Sequence, residues 1–289
     1  MNPQLVLEVV RVNRIEGVLG AHTQHRRSLQ LAAAPIMLAK LYGVPLSQPF
    51  RSIAWAFLQK KVPFEVVLTV PGSTAKMGSR AEPFLTKNPF GTVPLYEEPD
   101  TGFALAESAS ILSYLGEKHS WDLYPASTKD RARMSSYMHW HHTGTRGPIT
   151  GLFQPFVRPD LGIPSLEQMQ ARETRAKQAL ALIDTVWLGG TGSNFVGGLA
   201  SASVADLLAY EEVAQLLPEY CNLGVDLAPY PNVLRWVDRM KALPEYEAAH
   251  VALASLGALR VETDVPMTKR LGEATKAALK AITKAQTEY

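Results

Sequence analysis

The chain of 289 residues holds a single cysteine, Cys221. No internal disulfide can form, so a disulfide scaffold is excluded and oxidative folding is not implied. No apolar run approaches the ~18 residues needed to span a bilayer. A charge excess is missing too: 29 basic against 27 acidic residues leave a formal net charge of +2. That balance argues against a nucleic-acid binder or a protein drawn to an anionic membrane. Locally the chain lacks acid, with no Asp or Glu between Gly17 and Phe64 and a basic run from His22 to Ser28. A basic, acid-poor leader is the composition of a transit peptide. Glu8 and Glu16 interrupt it, however, and it has no secretory apolar region. Residues 1–35 therefore read as an extension, with a mitochondrial leader as the alternative.

Hydrophobic residues make up 46% of the chain and charged ones 19%, enough to build a core, and the length suggests two domains. Met37–Tyr42 reads as a buried strand. Ser47-Gln-Pro-Phe then opens a helix: Ser47 or Gln48 can cap it, and Pro49 suits the first turn. Phe50, Ile53, Ala54, Phe57 and Leu58 follow on one face. Phe64–Val70 is β-branched and reads as a second strand, parallel to the first through a crossover. Thr92–Glu97 and Phe103–Leu105 are strand-like around a turn at Pro99–Gly102, and Ala109–His119 is helical with Ser108 as its cap. From Lys129 onward the periodicity predicts helices only, over 129–145, 165–187, 204–216, 230–242 and 245–256, with a last Ala- and Lys-rich helix over 268–287. Ser203-Val-Ala-Asp206 reads as a capping box with Asp in the fourth position.

Four segments carry a resemblance: Leu46–Arg51 (LSQPFR), Asn88–Pro94 (NPFGTVP), Leu105–Leu112 (LAESASIL) and Trp140–Arg146 (WHHTGTR). In order and spacing they resemble the glutathione S-transferase superfamily, theta-like class, over roughly residues 37–260. The resemblance implies a thioredoxin-like glutathione-binding domain over 36–120, an all-helical domain over 128–265 and a helical tail over 266–289. It also implies a cytoplasmic homodimer, with mitochondrial placement as the alternative. Glutathione would serve as co-substrate and a small electrophile as its partner, and no metal or redox cofactor would be required.

Residue roles follow from the same likeness. Many thioredoxin-like folds carry Cys-x-x-Cys at the head of the first helix; here the positions read Ser47-Gln-Pro-Phe50, so thiol–disulfide exchange there is excluded. A hydroxyl can still donate to a ligand thiolate, helped by the helix terminus. Lowering an ordinary thiol pKa by about two units needs ~2.7 kcal/mol, within reach of one charged hydrogen bond plus a helix end. Ser47 is thus the expected thiol activator, with Gln48 beside it in the glutathione site. Val93, before a cis Pro94, would pair its backbone with the cysteinyl part of glutathione like an added strand. Glu107 and Ser108 would hold the γ-glutamyl end, one on the ammonium and the other on the carboxylate. The glycine carboxylate needs a cation, for which Lys76, Arg80 and Lys87 are available; Arg80 is the choice. Arg146, from the helical domain, would stand near the sulfur and lower its pKa further.

Other signals are set aside. His139, His141 and His142 have no acidic or Cys partner to complete a metal site. Gly189–Gly192 lacks the lysine of a phosphate loop, and Cys221 reads as a small apolar residue. Two rival functions stay open. One is another glutathione-dependent enzyme on the same fold, a dehalogenase or an isomerase. The other is a non-catalytic binding or scaffold module. The paired serines of the zeta-like isomerases are absent around Ser47, and the joint presence of Ser47, Val93-Pro94 and Glu107-Ser108 argues against a scaffold.

Overall fold

The computed structural model describes residues 37–190 and 194–289; the extension expected over 1–35 lies outside the described residues. Ala39–Gly43 forms β1, whose Leu41 is fully buried. A short loop leads to α1, Gln48–Gln59, with Pro49 in its first turn and its apolar face wholly buried. β2, Phe64–Leu68, runs parallel to β1, with Gly43 opposite Leu68. A short helix, α2 (Glu82–Leu85), follows; four residues are too few to show a helical period in sequence. β3 (Leu95–Glu98) and β4 (Phe103–Ala106) form an antiparallel hairpin, and the sheet order is β2-β1-β3-β4. The third strand starts later than its sequence suggests because Pro94 has no N–H for the ladder. α3, Ser108–Lys118, closes this half.

The rest is helical. α4 (Thr128–His141) runs into a π-helical turn, His142–Arg146, and directly on into α5, Gly147–Val157. The sequence reading stops this helix at 145, and the structure carries it on through the π-helical turn. The wide turn resets the register, so Pro148 falls at the start of a new segment, where its missing N–H costs little. Gly144 makes that turn possible: a Cβ there would stand 1.9 Å from the Trp140 ring. Gly144→Ala should therefore lower the stability by about 3 kcal/mol, seen as a fall in the denaturant midpoint.

After a single 3₁₀ turn at Pro159–Leu161 comes α6 (Leu166–Leu182), which starts with a reciprocal Ser165–Gln168 box and ends in a second π-helical turn, Ile183–Trp187. α7 (Val204–Val213) is buried along its whole length, and α8 (Pro231–Lys241) and α9 (Tyr246–Leu256) pack around it. At the head of α7, Asp206 takes the reciprocal half of the expected box: its carboxylate accepts from the Ser203 N–H at 2.8 Å and from the Ser203 hydroxyl at 2.9 Å. It accepts further from Val196 N–H and from the Trp236 indole. α10, Met267–Thr287, buries Ala274, Ala278, Ile282 and Ala285. Its end reaches the sheet-containing half, where Gln286 Oε1 accepts from Phe64 N–H at 2.8 Å and the Tyr289 hydroxyl donates to Leu58 C=O. The tail therefore straps the C-terminal end of α1, the opposite end of that helix from Ser47. Residues Leu38–Tyr289 form one compact unit.

Candidate active site

The sheet register gathers the expected site residues at one end. Tyr42 lies opposite Leu95, and Leu95 opposite Ala106. β1, β2 and β4 thus finish where β3 begins. The loop to Ser47, the Val93-Pro94 step, the Glu107-Ser108 turn and the loop carrying Arg80 all emerge from that end.

Ser47 occupies the cap position of α1 with extended backbone (φ −76°, ψ 123°). Its N–H donates to Val44 C=O, and its C=O accepts from Arg51 N–H, both at 2.9 Å. The half-buried side chain makes no cap hydrogen bond. A capping serine ordinarily accepts from the helix's first N–H groups. Here the hydroxyl has no partner among the described residues and stays available at the positive end of the helix dipole.

The Val93–Pro94 peptide is cis, and neither Val93 N–H nor Val93 C=O is hydrogen-bonded within the described residues. The neighbouring loop is pinned by Ser79, whose hydroxyl donates to Gly91 C=O at 2.7 Å and accepts from Gly72 N–H at 2.8 Å. Arg80 lies across Gly91, where a Cβ would meet its Cδ at 2.8 Å. Of the three cations considered for the glycine carboxylate, Lys87 is engaged by Glu97 at 2.5 Å and by the Tyr42 hydroxyl at 3.2 Å. Lys76 and Arg80 form no ion pair among the described residues.

At the third segment, Glu107 and not Ser108 takes the cap position; Ser108 is the first helical residue and is buried. Glu107 has φ 70° and ψ 111°, a conformation that costs a non-glycine residue energy and tends to persist where function needs it. Its exposed carboxylate stands 3.6 Å from His142 Nε2 of the helical half. No internal hydrogen bond holds the Ser108 hydroxyl among the described residues.

The helical half engages Gln48 and Arg146. Gln48 is buried and its amide donates to Gln215 Oε1 at 2.9 Å. Arg146 Nη1 donates to Glu212 Oε1 at 2.7 Å, and Thr150 and Gln215 donate to Oε2. Burial pushes the Glu212 carboxyl pKa up, and the Arg146 charge opposes this. Arg146 thus has a structural anchor, with 29% of its side chain exposed.

Next to it, burial, reinforced by Arg146 and His142, pushes the His141 pKa down to about 3. A histidine held neutral in the fold must take up a proton once unfolded, so its contribution to stability is present above the ordinary histidine pKa and is lost as pH falls. Acidification from about pH 6.5 to about pH 4 should cost about 3 kcal/mol through this residue, and His141→Gln should flatten that part of the pH–stability curve.

Sequence reasoning missed Arg51, Glu211 and Gln215. Arg51 is 1% exposed, and its Nε donates to Glu211 Oε2 at 2.5 Å. The one available signal was Glu211-Glu212 inside the apolar run 207–217, too polar a pair for a buried helix unless it has partners. Cys221 is buried, and burial pushes its thiol up to about 12, which makes it unreactive. Among the described residues no cluster of His, Cys, Asp and Glu could hold a metal, and no helix is long and apolar enough to cross a membrane.

A four-stranded mixed sheet of thioredoxin type followed by a helical half, with serine at the head of the first helix, defines the class of the molecule. The family model for the glutathione S-transferase N-terminal domain matches residues 41–124. Glutathione S-transferase T1 of Arabidopsis thaliana is 30% identical over 229 residues, 75% of this chain and 90% of that protein. Glutathione S-transferase theta-2 of Rattus norvegicus is 30% identical over 83% of this chain and 91% of its own length. Glutathione S-transferases T3 and T2 of Arabidopsis thaliana also match over 75% of this chain, which spans only 37% of their length. Among solved structures, human glutathione transferase theta-2, in complex with glutathione and an unknown ligand, superposes with a TM-score of 0.65. It is 27% identical, and the match covers 86% of this chain and 99% of that one. The chain belongs to the glutathione S-transferase family and is theta-like.

Proposed function

We propose that the chain is a glutathione transferase in which the Ser47 hydroxyl donates to the glutathione sulfur and holds it as the thiolate. The observation that carries this reading is the Ser47 hydroxyl at the tip of α1, unpaired among the described residues, at the same sheet end as the backbone groups of Val93, which are likewise unpaired there. An added extended segment finds a donor and an acceptor at Val93, before the cis Pro94. Glu107 and the N-terminus of α3 at Ser108 then receive the γ-glutamyl ammonium and carboxylate, and Arg80 receives the glycine carboxylate. Gln48, tied to Gln215, borders the sulfur and sets the start of α1. Arg146, with part of its guanidinium exposed, adds positive field near the sulfur.

The thiolate then attacks an electrophilic carbon. A carbon–sulfur bond forms and the leaving group departs with its electron pair, or a double bond takes up the sulfur and a proton. We read 36–120 as the glutathione domain, 128–265 as the domain that receives the electrophile, and 266–289 as the strap. On the family's pattern we place the protein in the cytoplasm as a homodimer.

Retention on immobilised glutathione, followed by turnover with an activated aryl chloride, tests the reading. Both are expected. Absence of retention would refute glutathione binding, and retention without turnover across substitution, dehalogenation and isomerisation substrates would favour a scaffold.

A further inference from the structure

We propose that Arg51 and Glu211 are positioning residues through which the helical half sets the Ser47 hydroxyl for thiolate formation. The inference rests on the reading of Ser47 given above and extends its control to a second part of the molecule.

Arg51 lies one helical turn beyond Ser47, and its own N–H donates to Ser47 C=O at 2.9 Å. Its side chain folds back toward the start of α1. Nη1 donates to Leu46 C=O at 2.8 Å and to Pro45 C=O at 3.3 Å, the two residues that lead into Ser47. Nε donates to Glu211 Oε2 at 2.5 Å and Nη2 to Glu211 C=O at 3.2 Å. Arg51 therefore grips three consecutive residues at the entry to α1: its guanidinium ties Pro45 and Leu46 to Glu211 of α7, and its backbone N–H holds the Ser47 carbonyl. Glu211 is held in turn. Its Oε1 stands 3.2 Å from Nε2 of the buried His250, whose other ring nitrogen, Nδ1, lies 2.7 Å from Tyr246 C=O. Burial works to raise the Glu211 pKa, but the His250 ring and the Arg51 guanidinium beside it outweigh this and hold the group as carboxylate. A second tie, Gln48 to Gln215, grips the residue after Ser47 from the same helix.

Stability alone is a poor explanation for this arrangement. A buried ion pair costs heavy desolvation, and well-packed apolar residues of similar size often stabilise as much or more. An apolar pair would leave the Pro45 and Leu46 carbonyls without donors, so the loop would be free to turn and the Ser47 hydroxyl would lose its aim. Misplacement of a reacting group by about 1 Å can cost ~100-fold in rate.

The test measures the ultraviolet thiolate band of bound glutathione against pH, with the glutathione dissociation constant and kcat, in the double variant Arg51→Met/Glu211→Leu. We expect a folded protein with thermal stability lowered by the unpaired Pro45 and Leu46 carbonyls, a dissociation constant within ~3-fold, and a thiolate fraction and kcat lowered ~10-fold near pH ~5.5, below both thiol pKa values, about one pK unit. A folded double variant that ionises the thiol as wild type does would overturn the proposal. If the double variant does not fold, Glu211→Asp supplies the decision. It keeps the charge but withdraws the carboxylate by one methylene, and the thiolate fraction near pH ~5.5 should fall ~3-fold, about half a pK unit; no change would overturn the proposal. Wild-type protein that fails to bind glutathione would sink the transferase reading, and this inference with it. Wild type that binds and ionises glutathione, matched by its variants, would sink this inference alone.

Discussion

Ser47→Ala is expected to lower kcat/KM roughly 5- to 50-fold near pH ~6.5, with the glutathione dissociation constant changed by less than ~3-fold. The asymmetry follows from what each group does. On the proposed reading, affinity comes from the backbone of Val93, the Glu107-Ser108 turn and the cation at Arg80, none of which the substitution touches. On the same reading, sulfur ionisation depends chiefly on the Ser47 hydroxyl at a helix tip. A hydrogen bond to a charged group contributes about 1.5–3 kcal/mol, so its loss should raise the thiol pKa by about one to two units. The thiolate left at a given pH becomes scarcer but more nucleophilic, which offsets part of the loss and sets the lower bound. A variant with kcat/KM within ~2-fold of wild type across the pH range would show that the helix tip and Arg146 suffice without the serine.

Asp206→Ala should destabilise the fold by about 4 kcal/mol, among the largest single-residue effects available in the chain. The carboxylate accepts from Val196 N–H, Ser203 N–H, the Ser203 hydroxyl and the Trp236 indole N–H, and the residue is completely buried. Truncation leaves several donors unpaired in the core, each costing about 1–3 kcal/mol. Asp206→Asn keeps one acceptor oxygen and should fall between wild type and alanine. Urea unfolding followed by fluorescence checks the ranking, and an alanine variant within ~1 kcal/mol of wild type would contradict it.

Much of this architecture can be read from residues 37–119 because local signals there agree. β-branched strands, an apolar stripe on α1 and turn residues at Pro99–Gly102 all point to the same order of elements. In the helical half, Gly147-Pro148 mimics a helix stop, because sequence does not reveal that the preceding turn is π-helical. Placing Ser108 as a cap missed by one residue, since the positive φ at Glu107 belongs to no residue-type preference. The placement of Ser47, Val93 and Glu107 at loop–element junctions was legible because helix and strand signals begin beside each of them. The support beneath them was not. Arg51 pairs with Glu211, Gln48 with Gln215 and Arg146 with Glu212 across 66 to 167 residues. Contacts over such separations leave no periodicity in the chain, and a buried Arg looks like a surface Arg until its partner is placed.

The most direct test of the role given to Ser47 is an ultraviolet titration of glutathione bound to wild-type and Ser47→Ala protein. The wild-type complex should ionise roughly two pK units below an ordinary thiol, and the alanine complex within about one unit of it. Coincident curves for the two complexes would contradict that role.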